Sequence, residues 1–356
     1  MTSTSPGREI VRAQRVATDE YPASNLRFDL LVMLCGCWLI GGLYLDGWAH
    51  NQPNLVDTFF TPWHAVLYSG FLAVATAIGG MQLRSMLRGH SLTRALPRGY
   101  WASLVGVMLF GFGGGFDVVW HSVFGFEANI DALISPAHLL LATGAFLFLT
   151  GPLRAAWIRA RTTPQHGWAM LLPAVVSLFL VYAAFTFFTQ YAHPLGNPHL
   201  LVRRVNVETY FISLQVIIST LIPSAILMGT LLVGMRSLRL PFGTITLLLG
   251  GTMVLMFLMR YRTAQNFGFV PPVAVVVGLL ADGALWRWQP SAQRVVALRI
   301  FSFALPFTLF SAYYVSLLLA KGLVITAHMW MGASMLAGFV GLFMSYVFVQ
   351  PQFERM

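Results

Sequence analysis

Ten runs of mostly apolar residues divide this chain, near residues 28–47, 62–83, 101–121, 135–157, 168–190, 208–234, 242–261, 268–286, 298–319 and 326–349. Wound as a helix, each is long enough to cross a hydrocarbon layer of about 30 Å. Lipid offers no partner for backbone N–H and C=O groups, so a spanning segment must close its hydrogen bonds internally. The expected fold is therefore all-α: a polytopic integral membrane helical bundle of about ten transmembrane helices. Composition agrees, because 57% hydrophobic and only 10% charged residues, with a mean hydropathy of +0.71, cannot coat a water-soluble globule of 356 residues.

The net charge of +10 is spread through short loops, which reads as topology and not as a nucleic-acid surface. Residues 1–27 are polar and contain no short apolar core ending in a cleavage site, so they are expected to form a cytoplasmic tail, not a signal peptide. Of the 22 Lys and Arg, all but Arg203, Arg204, Arg260, Arg262 and Lys321 then fall on the side of that tail. Positive residues stay in the cytoplasm, so both termini are expected there, in a multi-pass plasma-membrane protein. Arg260 and Arg262 leave little connection between the seventh and eighth runs, and a miscounted helix there would invert everything after it. The organisation expected is a tail (1–27), a four-helix region with two repeated hairpins (28–160) and a six-helix region without an assignable motif (161–356). Cys35 and Cys37 share one run, where a spacing of two turns them to opposite sides of a helix; both are expected to be buried thiols.

On this topology one leaflet collects the residue types that bind ions. Asp46, His50, Asp57, His64, Asp117, His121, Glu127, Asp131, His138, His193, His199, Glu208 and His328 fall at outer helix ends or in outer loops, while His90 and His166 lie in inner loops. Ionisable groups near membrane depth are costly unless paired or bound to an ion. A lone outer-loop histidine such as His193 or His199 is expected to be a solvated or interfacial side chain.

The sharper signal is a repeat. Residues 41–70 read GGLYLDGWAHNQPNLVDTFFTPWHAVLYSG and residues 112–144 read FGGGFDVVWHSVFGFEANIDALISPAHLLLATG. Each is a Gly-containing apolar helix ending in Asp-x-x-x-His, an acidic loop, and Pro-x-His opening the next helix. Asp and His four apart project from one helix face, and a proline in the first turn suits a helix start. The following histidine then faces back across the hairpin. Asp46, His50 and His64, and again Asp117, His121 and His138, are therefore candidate ligand sets. Two imidazoles and one carboxylate can hold a divalent or copper ion with a position left open. The alternative is that these groups only hydrogen-bond the hairpin ends together. Asp57 is a candidate partner for the second nitrogen of a ligating imidazole.

The first motif, with Asp46, Gly47, His50, Asp57, Thr58, Phe60, Thr61, Pro62 and His64, resembles the helix hairpin of the C subunit of the copper membrane monooxygenases, the group of particulate methane and ammonia monooxygenases. The resemblance covers roughly residues 28–157. It implies a copper site on Asp46, His50 and His64, and a second site on Asp117, His121 and His138, where the family has Asn in place of Asp117. This sequence carries one extra residue between His50 and Asp57 and a longer loop between His121 and His138. It lacks the soluble cupredoxin-like portion that another subunit of the family supplies, so the resemblance implies partner membrane subunits or a homo-oligomer.

No Gly-rich phosphate loop and no His-Glu-x-x-His stands in the chain, which leaves nucleotide hydrolysis and zinc-peptidase chemistry without support. The competing readings are a transporter for a metal ion or other small solute, and an accessory subunit with a structural metal. A transporter should carry polar residues down its helices, yet the inner halves hold little beyond Gln82, Asp282 and scattered Ser and Thr. The expected function is a copper-binding subunit, with zinc as the other candidate ion, of an oxygenase-type redox complex acting on a small apolar substrate.

Overall fold

The computed structural model describes residues 20–52, 61–125, 130–202 and 209–349. Among them, nine helices are long and apolar enough to cross a bilayer. In chain order with a shorter one between them, they are α1 (Leu26–His50), α2 (Pro62–Leu87), α3 (Trp101–Phe124), α4 (Pro136–Ala160), α5 (Gly167–Phe188), α6 (Thr209–Met235), α7 (Thr244–Met259), α8 (Val270–Trp288), α9 (Val295–Lys321) and α10 (Ala327–Phe348). The all-α polytopic bundle expected from the apolar runs is the fold observed.

The seventh run folds differently from the others. It contains a π-helical turn at Leu247–Gly251, ends at Met259, and turns by 100° into Tyr261–Phe267. Asp282 explains how it starts: the buried carboxylate on α8 accepts hydrogen bonds from the backbone N–H of Ile245 (3.0 Å) and Thr246 (2.9 Å) and from the Thr246 hydroxyl (2.6 Å). That satisfies donors a helix start leaves open. The bend places Arg260 where its guanidinium donates to Asn51 Oδ1 at 2.8 Å. Asn51 follows directly on α1, so this tie sets the α7–α8 connection at the α1 hairpin end of the bundle.

α5 is the most enclosed helix, with Leu171, Val175, Leu178 and Ala183 almost fully buried, whereas Leu72 on α2 and Phe112 on α3 stand more than half exposed, as expected of side chains that face lipid. At the end away from the hairpin loops, Asp29 is fully buried between the Tyr100 hydroxyl (2.6 Å) and the Arg159 guanidinium (2.6 Å). The buried carboxylates of Asp29 and Asp282 therefore both have structural partners. The thiols depart from expectation: both are free, but Cys35 is half-buried and Cys37 exposed. The helix presents Cys37 outward, where an apolar thiol can sit as readily in lipid as in a core.

The two N-terminal hairpins share one packing scheme. In the first, a Cβ on Gly42 would meet the Leu67 backbone at 2.7 Å, and one on Gly70 the Leu39 backbone at 2.7 Å. In the second, a Cβ on Gly113 would meet Leu141 at 3.2 Å, and one on Gly144 the Phe110 backbone at 2.7 Å. Gly42 and Gly113 each stand four residues before the Asp; Gly70 and Gly144 each stand six after the Pro-x-His histidine. Small residues let the helix backbones touch, and the same contacts recur in the same register.

Candidate metal centre

Helix start signals aim the second histidine of each hairpin. Thr61 and Ser135 are N-caps whose hydroxyls accept the backbone N–H of His64 and His138, both at 3.3 Å, with Pro62 and Pro136 in the first turn. Each histidine is thereby fixed one turn inside its helix, opposite the Asp and His presented by the preceding helix.

The six candidate ligands converge as two groups. In Asp46/His50/His64 and in Asp117/His121/His138, one ligand atom from each residue lies within 4.8 Å of the other two. Asp46 Oδ1 is 3.1 Å from His64 Nε2 and 3.7 Å from His50 Nδ1. Asp117 Oδ1 is 3.3 Å from His121 Nε2 and 3.7 Å from His138 Nε2. Bonds of about 2.0–2.2 Å to a tetrahedral ion put ligand atoms about 3.3–3.6 Å apart, and the Oδ1–Nε2 separations of 3.1, 3.3 and 3.7 Å to His64, His121 and His138 bracket that edge.

Hydrogen bonding separates a chelate from a simple ion pair. Among the described residues, Oδ1 of Asp46 and Oδ1 of Asp117 are buried and accept no hydrogen bond despite the nearby imidazole nitrogens. A buried carboxylate oxygen left in this way costs free energy unless a cation meets it. His50 Nδ1 lies 2.9 Å from the Asp46 carbonyl and His121 Nδ1 3.1 Å from the Gly125 carbonyl. A carbonyl only accepts, so each Nδ1 carries a proton, and a ring that gives up its other proton to bind an ion has its lone pair on Nε2. At His121 that lone pair faces Asp117 Oδ1 across 3.3 Å, an acceptor against an acceptor, which a cation between them would reconcile. His138 Nδ1 is held by the Ser135 hydroxyl at 2.9 Å. These are the outer contacts that orient metal-ligating imidazoles, and the donor set fits a borderline ion such as copper or zinc.

Tyr68, which the sequence reading passed over, stands between the two groups. It lies one turn beyond His64, with ring centroids 6.4 Å apart, and it seats on Gly114, where an added Cβ would be 3.7 Å from the phenol oxygen. Asp46 and Asp117 both act on it electrostatically. Beneath it, Phe110 stacks on Phe71 at 4.5 Å and meets Phe148 at 5.7 Å, an aromatic layer that closes both groups from the bilayer centre. Tyr68 was legible as the i+4 neighbour of His64, and Ser135 as the counterpart of Thr61 before Pro-x-His.

The other polar residues of that end go elsewhere. His199 Nε2 donates to the Thr263 carbonyl at 2.6 Å. His193 is buried, 7% exposed, against the expectation of a solvated loop residue; packing among α5, α6 and α9 encloses it. Asp131 opens a short helix and His328 is exposed near the start of α10; neither joins a ligand group. Asp57, Glu127 and Glu208 lie outside the described residues. Set against family models, curated proteins and solved structures, the chain matches none of them significantly.

Proposed function

We propose that this chain is a copper-binding integral membrane subunit of an oxygenase-type redox complex acting on a small apolar substrate, with both ligand groups toward the extracytoplasmic side. The observation that carries it is the pair of buried, hydrogen-bond-free carboxylate oxygens, each faced by two imidazoles at chelating distance. Asp46, His50 and His64 would hold one ion, and Asp117, His121 and His138 a second. Bound copper would supply one-electron chemistry toward O2 or a reductant at the position that three protein ligands leave open.

The remaining work falls to the chain itself. The Nδ1 contacts of His50, His121 and His138 fix ring orientation before an ion arrives. Phe71, Phe110 and Phe148 present an apolar wall on the bilayer side, along which an apolar substrate can approach while water is kept out. Partners are part of the proposal: another subunit would deliver the electrons.

The test is metal analysis of the purified protein joined to a double variant, His50→Ala with His121→Ala. The proposal expects copper in the wild type, loss of that metal in the variant, and loss of oxygen-dependent substrate oxidation while the protein still accumulates in the membrane. Altered metal uptake with no oxygen-dependent product would make it a transporter. Disappearance of the protein itself would make the metal structural.

A further inference from the structure

The six C-terminal helices, to which neither hairpin belongs, enclose a cavity of their own. It offers about 30 Å³ to the centre of a water-sized sphere, whereas a single water needs about 10–15 Å³. Its walls are apolar, formed among others by Pro223 and Ile226 of α6, Leu249 and Met253 of α7, and Leu309 and Phe310 of α9.

Polar groups also reach it, and nearly all are occupied. The hydroxyls of Thr186, Thr189 and Thr252 donate to backbone carbonyls one turn earlier, at 2.8, 2.7 and 2.5 Å. The Tyr182 hydroxyl lies beside Thr186 and Thr252, and the Tyr313 hydroxyl donates to the Pro194 carbonyl at 2.8 Å. His193 is different. Its Nδ1 accepts the Leu195 N–H at 3.1 Å, so a neutral ring must carry its proton on Nε2. Burial, with the Arg260 charge nearby, holds the ring neutral by pulling its pKa down to about 3. Among the described residues nothing accepts that Nε2 proton. A side chain 93% enclosed, since it is 7% exposed, thus brings one unused donor to an otherwise apolar chamber. Ligand sites of this kind combine apolar walls with few polar anchors.

We propose that this cavity binds a small molecule carrying one oxygen acceptor, a one- or two-carbon alcohol or aldehyde, with the oxygen on His193 Nε2 and the carbon end against α6, α7 and α9. A wholly apolar molecule would leave the donor unmet; a strongly polar one would leave its other groups unmet against Ile226, Leu249 and Phe310. Phe187 of α5 and Met259 of α7, helices that also line the cavity, pack on Gly47 beside Asp46. A hydroxylated product of the reaction proposed above belongs to the same chemical class, and that link alone rests on that proposal.

The experiment uses the full chain, stripped of metal and reconstituted in lipid nanodiscs, with acetaldehyde and propane, three heavy atoms each, as probes of matched shape. Binding is read from the imidazole ¹⁵N–¹H resonance of His193 and from saturation transfer to the probe. Acetaldehyde should bind saturably and shift that resonance, and should be preferred over propane by about five- to tenfold, the worth of one hydrogen bond between neutral groups. His193→Phe should abolish the preference, His193→Gln, which retains an N–H donor, should restore it, and Ile226→Trp should remove binding of both probes by filling the chamber. Equal binding of the two probes, no binding of either, or a preference that survives in His193→Phe would overturn the proposal. Because the protein is metal-free, those outcomes are independent of whether the hairpins hold copper.

Discussion

The two hairpins present the same three candidate ligands in the same register, yet they meet solvent differently. In the first, the side chains of Asp46, His50 and His64 are 13%, 41% and 17% exposed; in the second, Asp117, His121 and His138 are 6%, 10% and 28% exposed. The cause lies in where each helix stops. His50 is the last residue of α1, whereas α3 continues through Phe124, three residues past His121, which at about 1.5 Å per residue sinks that histidine deeper. The repeated pattern sets the geometry of a chelate, and helix length sets how open it is.

The largest expected effect would break the comparison outright. If the hairpins are independent chelates, Asp46→Ala and Asp117→Ala each lower the metal content from two ions per chain to one, in keeping with the two ligand groups, and the double variant holds none. Mass-spectrometric metal counting on purified protein decides it. Should Asp117→Ala empty both groups, Tyr68 and the mutual charge of Asp46 and Asp117 couple them, and the pair would have to be treated as a single binuclear unit.

Next in size are the glycine contacts. An alanine at Gly70 or Gly144 drives a Cβ to 2.7 Å from backbone atoms of Leu39 or Phe110, and overpacking of this kind costs about 1–3 kcal/mol. Gly79, on the same helix as Gly70, faces open space, so Gly79→Ala should leave thermal unfolding in detergent unchanged or slightly raised. A similar penalty at Gly70 and Gly144 would sharpen the case that the two hairpins are packed alike. A penalty at only one of them would show that the sequence repeat outlasts the structural one.

Much of this was legible before any coordinates. Spans and ligand sets follow from apolar run length, from Asp and His four apart, and from Pro-x-His, all of them local patterns. What escaped depends on which helix packs on which. Asp282 read as a stray acid because its role needs the start of α7 beside α8; His193 read as solvated because its burial needs α5, α6 and α9 to close around it; the bend at Arg260 needs Asn51, more than 200 residues away in sequence. Cys37 was expected inside because an apolar run does not say which face meets lipid. Metal identity is a property of affinity and supply, and neither residue spacing nor separation encodes it.

The smallest effect is the most discriminating. Ser135 both caps α4 and holds His138 Nδ1, at 3.3 and 2.9 Å. Removing a cap hydroxyl costs about 1 kcal/mol of stability, while removing a group that orients a ligating imidazole weakens metal binding by about 10–100-fold without abolishing it. Ser135→Ala should therefore show both losses, with the weakened binding confined to the second hairpin, and Ser135→Thr should recover most of each because the hydroxyl returns. Thr61→Ala applies the same test to the first hairpin, where the hydroxyl caps His64 at 3.3 Å: a stability loss of about 1 kcal/mol with unchanged affinity would mean that Asp46 and Tyr68 suffice to orient His64, and a parallel loss of affinity would extend the likeness of the two hairpins to the groups behind their ligands. Titration of each variant against a chelator of known affinity, with the other hairpin silenced by its Asp→Ala change, reads the two effects separately. If Ser135→Ala loses stability while its metal affinity stays intact, the Ser135–His138 contact is a helix cap and nothing more, and the orientation of His138 has to come from Asp117 across the hairpin.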